Sequence, residues 1–276
     1  MLCDRRLTIE ELEEMAHAIR NDILKMTLSA GANGGHIGGS FSSAEILAVL
    51  YGNVMNVSPD KATDPSRDRF ILSKGHCAIA HYAVLKESGF LTEEEMLSFE
   101  QPGSDFPTHE VMNLAKGIET SSGSLGYGLS IGIGCAISAK LKNSQHRIFV
   151  LMGDGECNEG SIWEAAMAAS RFKLGNLTAI IDKNGQSLDG FTAEIMPINN
   201  MKLAWEAFGW NVRETNGNSI QSMLDAFSNQ TEDKPNLIIA NTIKGKGIPS
   251  IEGRTGWHHV RLTQEMYDVF MKEMEG

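Results

Sequence analysis

The sequence predicts an α/β fold, with a parallel sheet and helices on both faces. Short apolar segments typical of buried strands alternate with segments of helical spacing, which favours a parallel sheet covered on both sides. Polar, glycine-rich loops follow the predicted strands, and ligands in such sheets bind at the carboxyl ends of the strands. No repeat, linker or low-complexity tract divides the 276 residues. We therefore expect a single domain over residues 1–276.

The first half is predicted to hold helices and one short strand. Thr8 and Glu11 have the spacing of a capping box at the start of the first helix. Apolar side chains at helical spacing continue that helix to Ile23. A glycine-rich turn, a helix, a strand and two more helices follow, before a loop over residues 101–120. Those five elements span residues 30–36, 43–54, 69–72, 78–88 and 93–99.

A glycine-interrupted apolar stretch over residues 125–139 opens the second half. It is too short to cross a bilayer, so it predicts a tightly packed interior helix. Beyond it, apolar runs predict three strands and two helices. The strands cover residues 147–152, 177–181 and 237–242, and the helices cover residues 161–172 and 203–208.

The spacing of two polar motifs is the most informative feature of the chain. Gly153-Asp154-Gly155 follows one predicted strand, and Asn184 follows the next, about thirty residues later. Asp154, Asn184 and the backbone carbonyl of Gln186 offer the hard oxygen ligands that Mg²⁺ prefers alongside phosphate oxygens. The glycines allow a sharp turn and a close approach, and the following helix presents its N-terminal N–H groups to an anion. The pattern predicts a joint site for Mg²⁺ and a diphosphate.

Four histidines and a lysine lie in predicted loops at strand ends or among glycines, although a lone histidine in a loop is usually a surface residue. They are His36, His76, His109, His258 and Lys244. An imidazole can donate to a carbonyl oxygen that gains charge and can carry protons near neutral pH. Lys244 stands among glycines after a strand and is a candidate phosphate ligand.

Together these motifs resemble thiamine-diphosphate enzymes, and more narrowly the N-terminal, diphosphate-binding domain of transketolase. The Gly-Asp-Gly motif with its later asparagine resembles the thiamine-diphosphate fingerprint. Residues 73–76, 159–166, 173–177 and 256–258 resemble transketolase segments, and the likeness extends over about residues 8–262. The resemblance implies the thiamine-diphosphate-binding fold, with thiamine diphosphate and Mg²⁺ as cofactors.

The resemblance also implies roles for individual residues. His36 and His258 would contact the substrate and the developing oxyanion, and His109, on a looser match, would be a third catalytic histidine. The implied cofactor-binding residues are His76, Gly123, Ser124, Leu125, Gly155, Glu156, Asn184 and Lys244. The implied metal ligands are Asp154, Asn184 and Gln186.

The activity implied is transfer of a two-carbon ketol unit from a ketose phosphate, or a related anionic sugar, to an aldose. The chain ends where a full transketolase continues with a pyrimidine-binding domain, which carries the glutamate that activates the cofactor. We therefore expect the N-terminal subunit of a split transketolase. It should be inactive alone and active with a C-terminal subunit in an α₂β₂ assembly.

Several residues depart from the transketolase pattern, mostly on the substrate side. His259 replaces a glycine, Tyr127 a common glutamine, Ile37 a common proline, Gly39 a serine of some members, and Thr108-His109-Glu110 the usual Gly-His-Pro. A specialised transketolase for a branched, deoxy or sulfonated ketose is therefore an alternative. Two others are the α-type E1 subunit of a 2-oxo acid dehydrogenase and a non-catalytic, cofactor-binding regulatory subunit.

Composition restricts the partners. The net charge is −11, from 24 basic and 35 acidic side chains, which disfavours nucleic acid and anionic membranes. No signal peptide is visible. The cysteines show no paired metal spacing, and we expect reduced thiols in a cytoplasmic protein. They are Cys3, Cys77, Cys135 and Cys157.

Overall fold

The computed structural model describes residues 6–275 and contains a five-stranded sheet. The strands are β1 (Arg69–Leu72), β2 (Ile148–Gly153), β3 (Leu177–Lys183), β4 (Asn211–Asn216) and β5 (Asn236–Asn241). Their order in the sheet is β1-β2-β3-β5-β4, and each neighbouring pair is parallel. The four strands predicted from apolar runs are confirmed within two residues at each end.

Eleven α-helices are present in residues 6–275. They are α1 (Ile9–Ser29), α2 (Ile37–Phe41), α3 (Ala44–Val49), α4 (Ala78–Glu87), α5 (Glu93–Leu97), α6 (Tyr127–Leu141), α7 (Gly160–Arg171), α8 (Thr192–Ile195), α9 (Met201–Ala207), α10 (Ile220–Ser228) and α11 (Gln264–Glu275). The capping box is confirmed, because the Glu11 N–H donates to Thr8 Oγ1 at 3.3 Å and the Thr8 N–H to the Glu11 carboxylate at 2.8 Å. The helix predicted over residues 43–54 divides into α3 and a π-helical turn, Leu50–Val54.

Helices cover both faces of the sheet, as predicted. Phe149 and Leu151 on β2 belong to the core that includes apolar residues of α1, α3, α4 and α10. Ile148 and Val150, pointing the opposite way, belong to the core with α6, α7 and α9. Both faces of the central strands are buried, which explains their continuous apolar runs.

The edge strand β4 and the helices α10 and α11 have no counterpart in the predicted elements. β4 reads Asn-Val-Arg-Glu-Thr-Asn and is largely exposed or half-buried, so it lacks the apolar run that marks the central strands. It is a strand because its backbone pairs in register with β5, from Asn211 beside Asn236 to Asn216 beside Asn241. That pairing is a tertiary contact and leaves no local pattern.

Helix α6 departs from its predicted interior position. Gly132 lies so close to the sheet that a β-carbon there would be 2.6 Å from the Val150 side chain. The opposite face is open: Tyr127 is 60% exposed, Ile131 39% and Leu141 79%. The prediction of an interior helix is therefore wrong for one face, which is apolar yet uncovered in this chain. None of the helices within residues 6–275 has the length and apolar character needed to span a bilayer.

The predicted reduced thiols are confirmed for three cysteines. Cys77, Cys135 and Cys157 are free, whereas Cys3 lies outside the described residues.

Candidate functional site

The carboxyl ends of four strands border one cavity of about 330 Å³. β1 leads to Lys74 and His76, β2 to Asp154, β3 to Asn184 and β5 to Lys244. Because these strands are parallel neighbours, their carboxyl ends share one edge of the sheet. The sheet therefore assembles groups that are far apart in the sequence.

Twelve of the thirteen predicted site residues line this cavity. They are His36, His76, His109, Gly123, Leu125, Asp154, Gly155, Glu156, Asn184, Gln186, Lys244 and His258. Ser124 is exposed and lines an adjacent groove with Tyr127 and Ile131 instead. Its cofactor contact, like the roles of the other twelve, stays a prediction.

Asp154 is a buried carboxylate at the end of β2. It accepts the N–H of Gly155 at 2.9 Å and the N–H of Gly185 at 2.8 Å, which ties the end of β2 to the loop after β3. Burial, and then the nearby Asp182 carboxylate, raises the pKa of Asp154 to about 6. A carboxylate whose charge is disfavoured by its surroundings is a good partner for a cation, which would relieve both effects.

Asn184 is held two residues from Asp182. Its Nδ2 donates to Ser42 Oγ and to Asp182 Oδ2, both at 3.3 Å, and its Oδ1 accepts the Gln186 N–H at 3.1 Å. These contacts fix which end of the amide carries oxygen. The amide oxygen therefore lies on the side of the loop that leads to Gln186, the third predicted metal ligand.

The turn after β2 differs from its prediction in two respects. Gly153 and Gly155 are not among the glycines with positive φ, so the turn itself does not require them. At Gly155 a close approach favours glycine, because a β-carbon there would lie 3.3 Å from that of Ser187, whereas one at Gly153 would make only ordinary contacts. A 3₁₀ turn, Gly155–Asn158, separates β2 from α7. Within residues 6–275 this turn, and not the start of α7, borders the predicted anion site.

Glu156 turns its carboxylate toward the protein backbone. It accepts the N–H of Gly126 at 2.9 Å and that of Gly153 at 3.0 Å, together with the hydroxyl of Ser73. Burial raises its pKa despite these donors. Glu156 therefore connects three segments by hydrogen bonds. They are the loop after β1, the end of β2 and the segment before α6.

A buried ion pair that the sequence did not reveal lies beneath the cavity. Lys74 pairs with Asp182, and the two side chains are 1% and 0% exposed. Burial alone would lower the pKa of Lys74 and raise that of Asp182, but their mutual attraction outweighs it and shifts each pKa the opposite way. Lys74 Nζ also donates to Gly39 O at 2.9 Å and Ser43 Oγ at 3.0 Å.

Four imidazoles surround that of His36, and all five except His259 line the cavity. The His36 ring centroid lies 5.6 Å from that of His76, 5.9 Å from His109, 5.2 Å from His258 and 4.6 Å from His259. Burial, and then the neighbouring imidazoles, lowers the pKa of His36 to about 2. Burial, His76 and Lys244 lower the pKa of His258 to about 3. Both rings are therefore neutral at pH 7, with one donor and one acceptor nitrogen each.

Lys244 extends from the loop after β5 into the same cavity. Its Nζ donates to Ser187 O at 3.0 Å and lies 3.5 Å from His258 Nδ1. Burial lowers its pKa. Lys244 therefore contacts both the histidine cluster and the loop after Asn184. An anion bound in the cavity would face its ammonium group.

The transketolase thiamine diphosphate-binding domain family matches residues 12–274 of this chain. The chain belongs to this family. It is 44% identical over 270 residues to an apulose-4-phosphate transketolase subunit of Actinobacillus succinogenes, with 98% of each chain covered. It is 38% identical over 267 residues to a 6-deoxy-6-sulfo-D-fructose transketolase subunit of Clostridium, with 96% of each chain covered.

Full-length transketolases match over part of their length. Human transketolase is 38% identical over 269 residues, which cover 96% of this chain and 42% of the human one. The crystal structure of transketolase from Campylobacter jejuni superposes with a TM-score of 0.90 at 30% identity, over 98% of this chain and 43% of that one. The chain thus spans about two fifths of these transketolases and nearly all of the relatives that are named as transketolase subunits. The predicted thiamine-diphosphate-binding fold is confirmed.

In this transketolase-family chain the missed site residues are Lys74 and Asp182. Each stands two residues before a recognised motif residue, Lys74 before His76 and Asp182 before Asn184. The available signal was a charged residue continuing an apolar strand, since Asp182 lies within β3 beside five buried residues. Burial of such a charge requires a partner, but the sequence does not say that the partner is 108 residues away.

The histidine cluster predicts how the stability of this transketolase-family chain depends on pH. In the unfolded chain His36 binds a proton below about pH 6.5, whereas in the fold it stays neutral down to about pH 2. The unfolded state therefore holds more protons in that window. We expect stability to be fully present above pH 6.5 and to fall as the pH drops, by up to about 1.4 kcal/mol per pH unit for His36.

Urea unfolding of wild type and His36→Gln between pH 7.5 and 5.5 measures this dependence. The variant should lose less stability on acidification than the wild type. Equal losses in the two proteins, or an NMR titration midpoint for His36 near pH 6.5, would contradict the prediction.

Proposed function

We propose that this chain is the diphosphate-binding subunit of a transketolase that uses thiamine diphosphate and Mg²⁺. It transfers a two-carbon ketol unit from a ketose phosphate or related anionic sugar to an aldose, and it works only with a pyrimidine-binding partner subunit. The observation that carries the proposal is the single cavity that unites Asp154, Asn184, Lys244 and the histidines at the carboxyl ends of the strands.

The donor set fits a Mg²⁺–diphosphate group. Asp154 supplies a carboxylate disfavoured by burial, and Asn184 and the Gln186 carbonyl supply neutral oxygens. Mg²⁺ takes few protein carboxylates and completes its shell with phosphate oxygens and water, so one carboxylate and two neutral oxygens suit it. Lys244 and His76 line the same cavity and would bind the diphosphate.

When bound, thiamine diphosphate supplies the carbon nucleophile that cleaves and forms the sugar C–C bonds. The protein's own contribution is positioning and electrostatics. Neutral His36 and His258 can each donate one N–H to a sugar oxygen as it gains negative charge. Their depressed pKa values keep both rings neutral at pH 7, so each ring also keeps one acceptor nitrogen for a sugar hydroxyl.

The need for a partner is supported by relatives and by the surface. The relatives from Phocaeicola vulgatus, Actinobacillus succinogenes and Clostridium have nearly the length of this chain and are named as transketolase subunits. At the cavity mouth Leu188 is 68% exposed, and in the adjacent groove Tyr127 is 60% exposed. Apolar side chains around a polar site favour coverage by another protein surface. An α₂β₂ assembly is the arrangement we propose, in the cytoplasm.

Reconstitution tests the proposal. We expect no sugar turnover by the purified chain with thiamine diphosphate and Mg²⁺, and turnover after addition of a C-terminal transketolase subunit, first sought in the adjacent reading frame. The assay follows the aldose released from a ketose phosphate. Activity of the chain alone would refute the need for a partner, and the partner by itself is the control.

A specialised donor sugar is the second candidate. Its support is His259, whose ring packs 4.6 Å from that of His36 where the transketolase pattern has a glycine. Two relatives are named for apulose 4-phosphate and 6-deoxy-6-sulfo-D-fructose. A panel with these two sugars, xylulose 5-phosphate and fructose 6-phosphate decides. Preference for a common pentose or hexose phosphate would count against specialisation.

A further inference from the structure

A chain of three buried polar side chains lies beneath the loop that carries His109. Glu110 is 1% exposed although His109 beside it is exposed. The Glu110 carboxylate is 2.6 Å from His81 Nδ1, and His81 Nε2 is 2.7 Å from the Tyr51 hydroxyl. His81, on α4, is 0% exposed. None of the three residues lines the cavity, so the groups assigned above leave this network unexplained.

We propose that Glu110, His81 and Tyr51 are positioning residues that hold His109 and the Gly123 backbone against the sugar, and so set the affinity for the donor ketose. This inference rests on the proposed transketolase function. Its physical part, that the buried network orders residues 107–123, can be measured without any sugar turnover.

Backbone contacts connect the network to the cavity. The Glu110 carbonyl accepts the Ser122 N–H at 3.0 Å, which brings Gly123 beside His109. A β-carbon on Gly123 would lie 3.4 Å from the His109 ring. Movement of Glu110 therefore displaces two parts of the cavity wall at once.

Helix α4 holds the same loop at two consecutive residues. His81 binds the Glu110 side chain, and the Tyr82 hydroxyl donates to Pro107 O at 2.9 Å. Hydrogen bonds to α4 thus hold both ends of the segment 107–110, and His109 lies between the two bonded residues. A loop held in this way keeps its histidine directed at the cavity, near the His36 ring.

The hydrogen bonds of the network fix the position of the loop, and do not only stabilise its packing on α4. A carboxylate without a partner is costly to bury, so the loop is stable only where Glu110 meets His81. An apolar contact of the same size would tolerate a shift of the loop, whereas a hydrogen-bonded pair specifies one register. In the transketolase pattern a proline follows this histidine and restricts the backbone through its ring. Here side-chain hydrogen bonds supply the restriction.

A double replacement separates positioning from stability. His81→Leu alone leaves Glu110 buried and unpaired, and should lower the folded-to-unfolded ratio by about 100-fold or more. His81→Leu with Glu110→Leu replaces the pair by apolar side chains, and its Tm should recover most of the loss. The remainder reflects the Tyr51 hydroxyl, which then lacks its His81 partner. We expect amide exchange over residues 107–123 to be about tenfold faster in this double variant, since the register is no longer specified.

Activity in the reconstituted assembly gives the second readout. The double variant should raise KM for the donor ketose about tenfold, with kcat within about twofold, because binding rather than chemistry is loosened. The single variant Glu110→Gln keeps an oxygen that accepts from His81. Its amide exchange over residues 107–123 and its KM should therefore stay close to those of the wild type. His17→Leu, at an exposed histidine on α1, is the matched control and should change neither.

The outcomes are distinct. Wild-type exchange and wild-type KM in a stably folded double variant would overturn the proposal and leave the pair a purely packing feature. If the double variant does not fold, Tyr51→Phe, which removes one hydroxyl, should still speed exchange over residues 107–123 about threefold, and unchanged exchange would overturn the proposal. If the wild-type assembly turns over no sugar, the proposed function fails while the exchange data still decide the positioning role.

Discussion

Asp154→Ala is expected to abolish Mg²⁺-dependent binding of thiamine diphosphate and, with it, all turnover of the assembly. Asp154 provides the only charged oxygen of the proposed donor set, since Asn184 and the Gln186 carbonyl are neutral. Loss of a residue that merely supports a ligand costs about 10–100-fold in metal affinity, so loss of the charged ligand should exceed that. Titration calorimetry of the assembly with the cofactor, with and without Mg²⁺, measures the effect.

Asp189→Ala is the matched control for that experiment. Asp189 is an exposed acid that lines the same cavity, so the variant changes the cavity charge equally without touching the proposed ligands. We expect it to retain Mg²⁺-dependent binding within about threefold, because water screens an exposed charge. Unchanged Mg²⁺-dependent affinity in Asp154→Ala would refute the metal assignment. Equal losses of affinity in both variants would show that Asp154 acts only through the net charge of the cavity, and not as a metal ligand.

Lys74→Met is expected to have the largest effect on stability. The variant keeps the length of the side chain but leaves Asp182 fully buried without its cation. Breaking a buried pair from one side costs about 3–5 kcal/mol, a large share of the stability of an ordinary domain. Urea unfolding followed by circular dichroism measures the change.

Lys183→Met supplies the comparison on the same sheet. Lys183 pairs with Glu214 at 3.2 Å, but both side chains are 38% exposed, so its loss should cost less than about 1 kcal/mol. A double variant, Lys74→Met with Asp182→Leu, should recover only part of the loss. Thr242 would then lack its acceptor, and Ser42 and Ser43 would keep only the Gly39 carbonyl. Similar stabilities of Lys74→Met and Lys183→Met would show that the buried pair does not contribute as proposed.

Four residues of the site were predictable because each follows a strand that an apolar run in the sequence predicts. Asp154, Asn184, His76 and Lys244 come two to four residues after apolar runs, and the rule that ligands meet the carboxyl ends of parallel strands places them together. The structure brings all four to one cavity. The resemblance to transketolase contributed the histidines of the loops, and the family is confirmed.

Pairs formed between distant segments were not predictable. Lys74 and Asp182 are 108 residues apart, and His81 and Glu110 are 29 apart. In each case the sequence shows a charged or polar residue in a buried context without showing its partner. Ser124 illustrates the same limit at shorter range, since it is adjacent to two cavity residues and yet faces the neighbouring groove.

Local pattern was sufficient for the central strands, the capped first helix and the order of motifs along the chain, because these depend on side-chain periodicity and on residues a few positions apart. The three-dimensional packing alone placed the polar strand β4 beside β5 and left one face of α6 uncovered. It also placed four imidazoles around that of His36 and buried Glu110 under its own loop. These features depend on which surfaces meet when the layers assemble, and a periodic pattern carries no information about the surface that lies opposite.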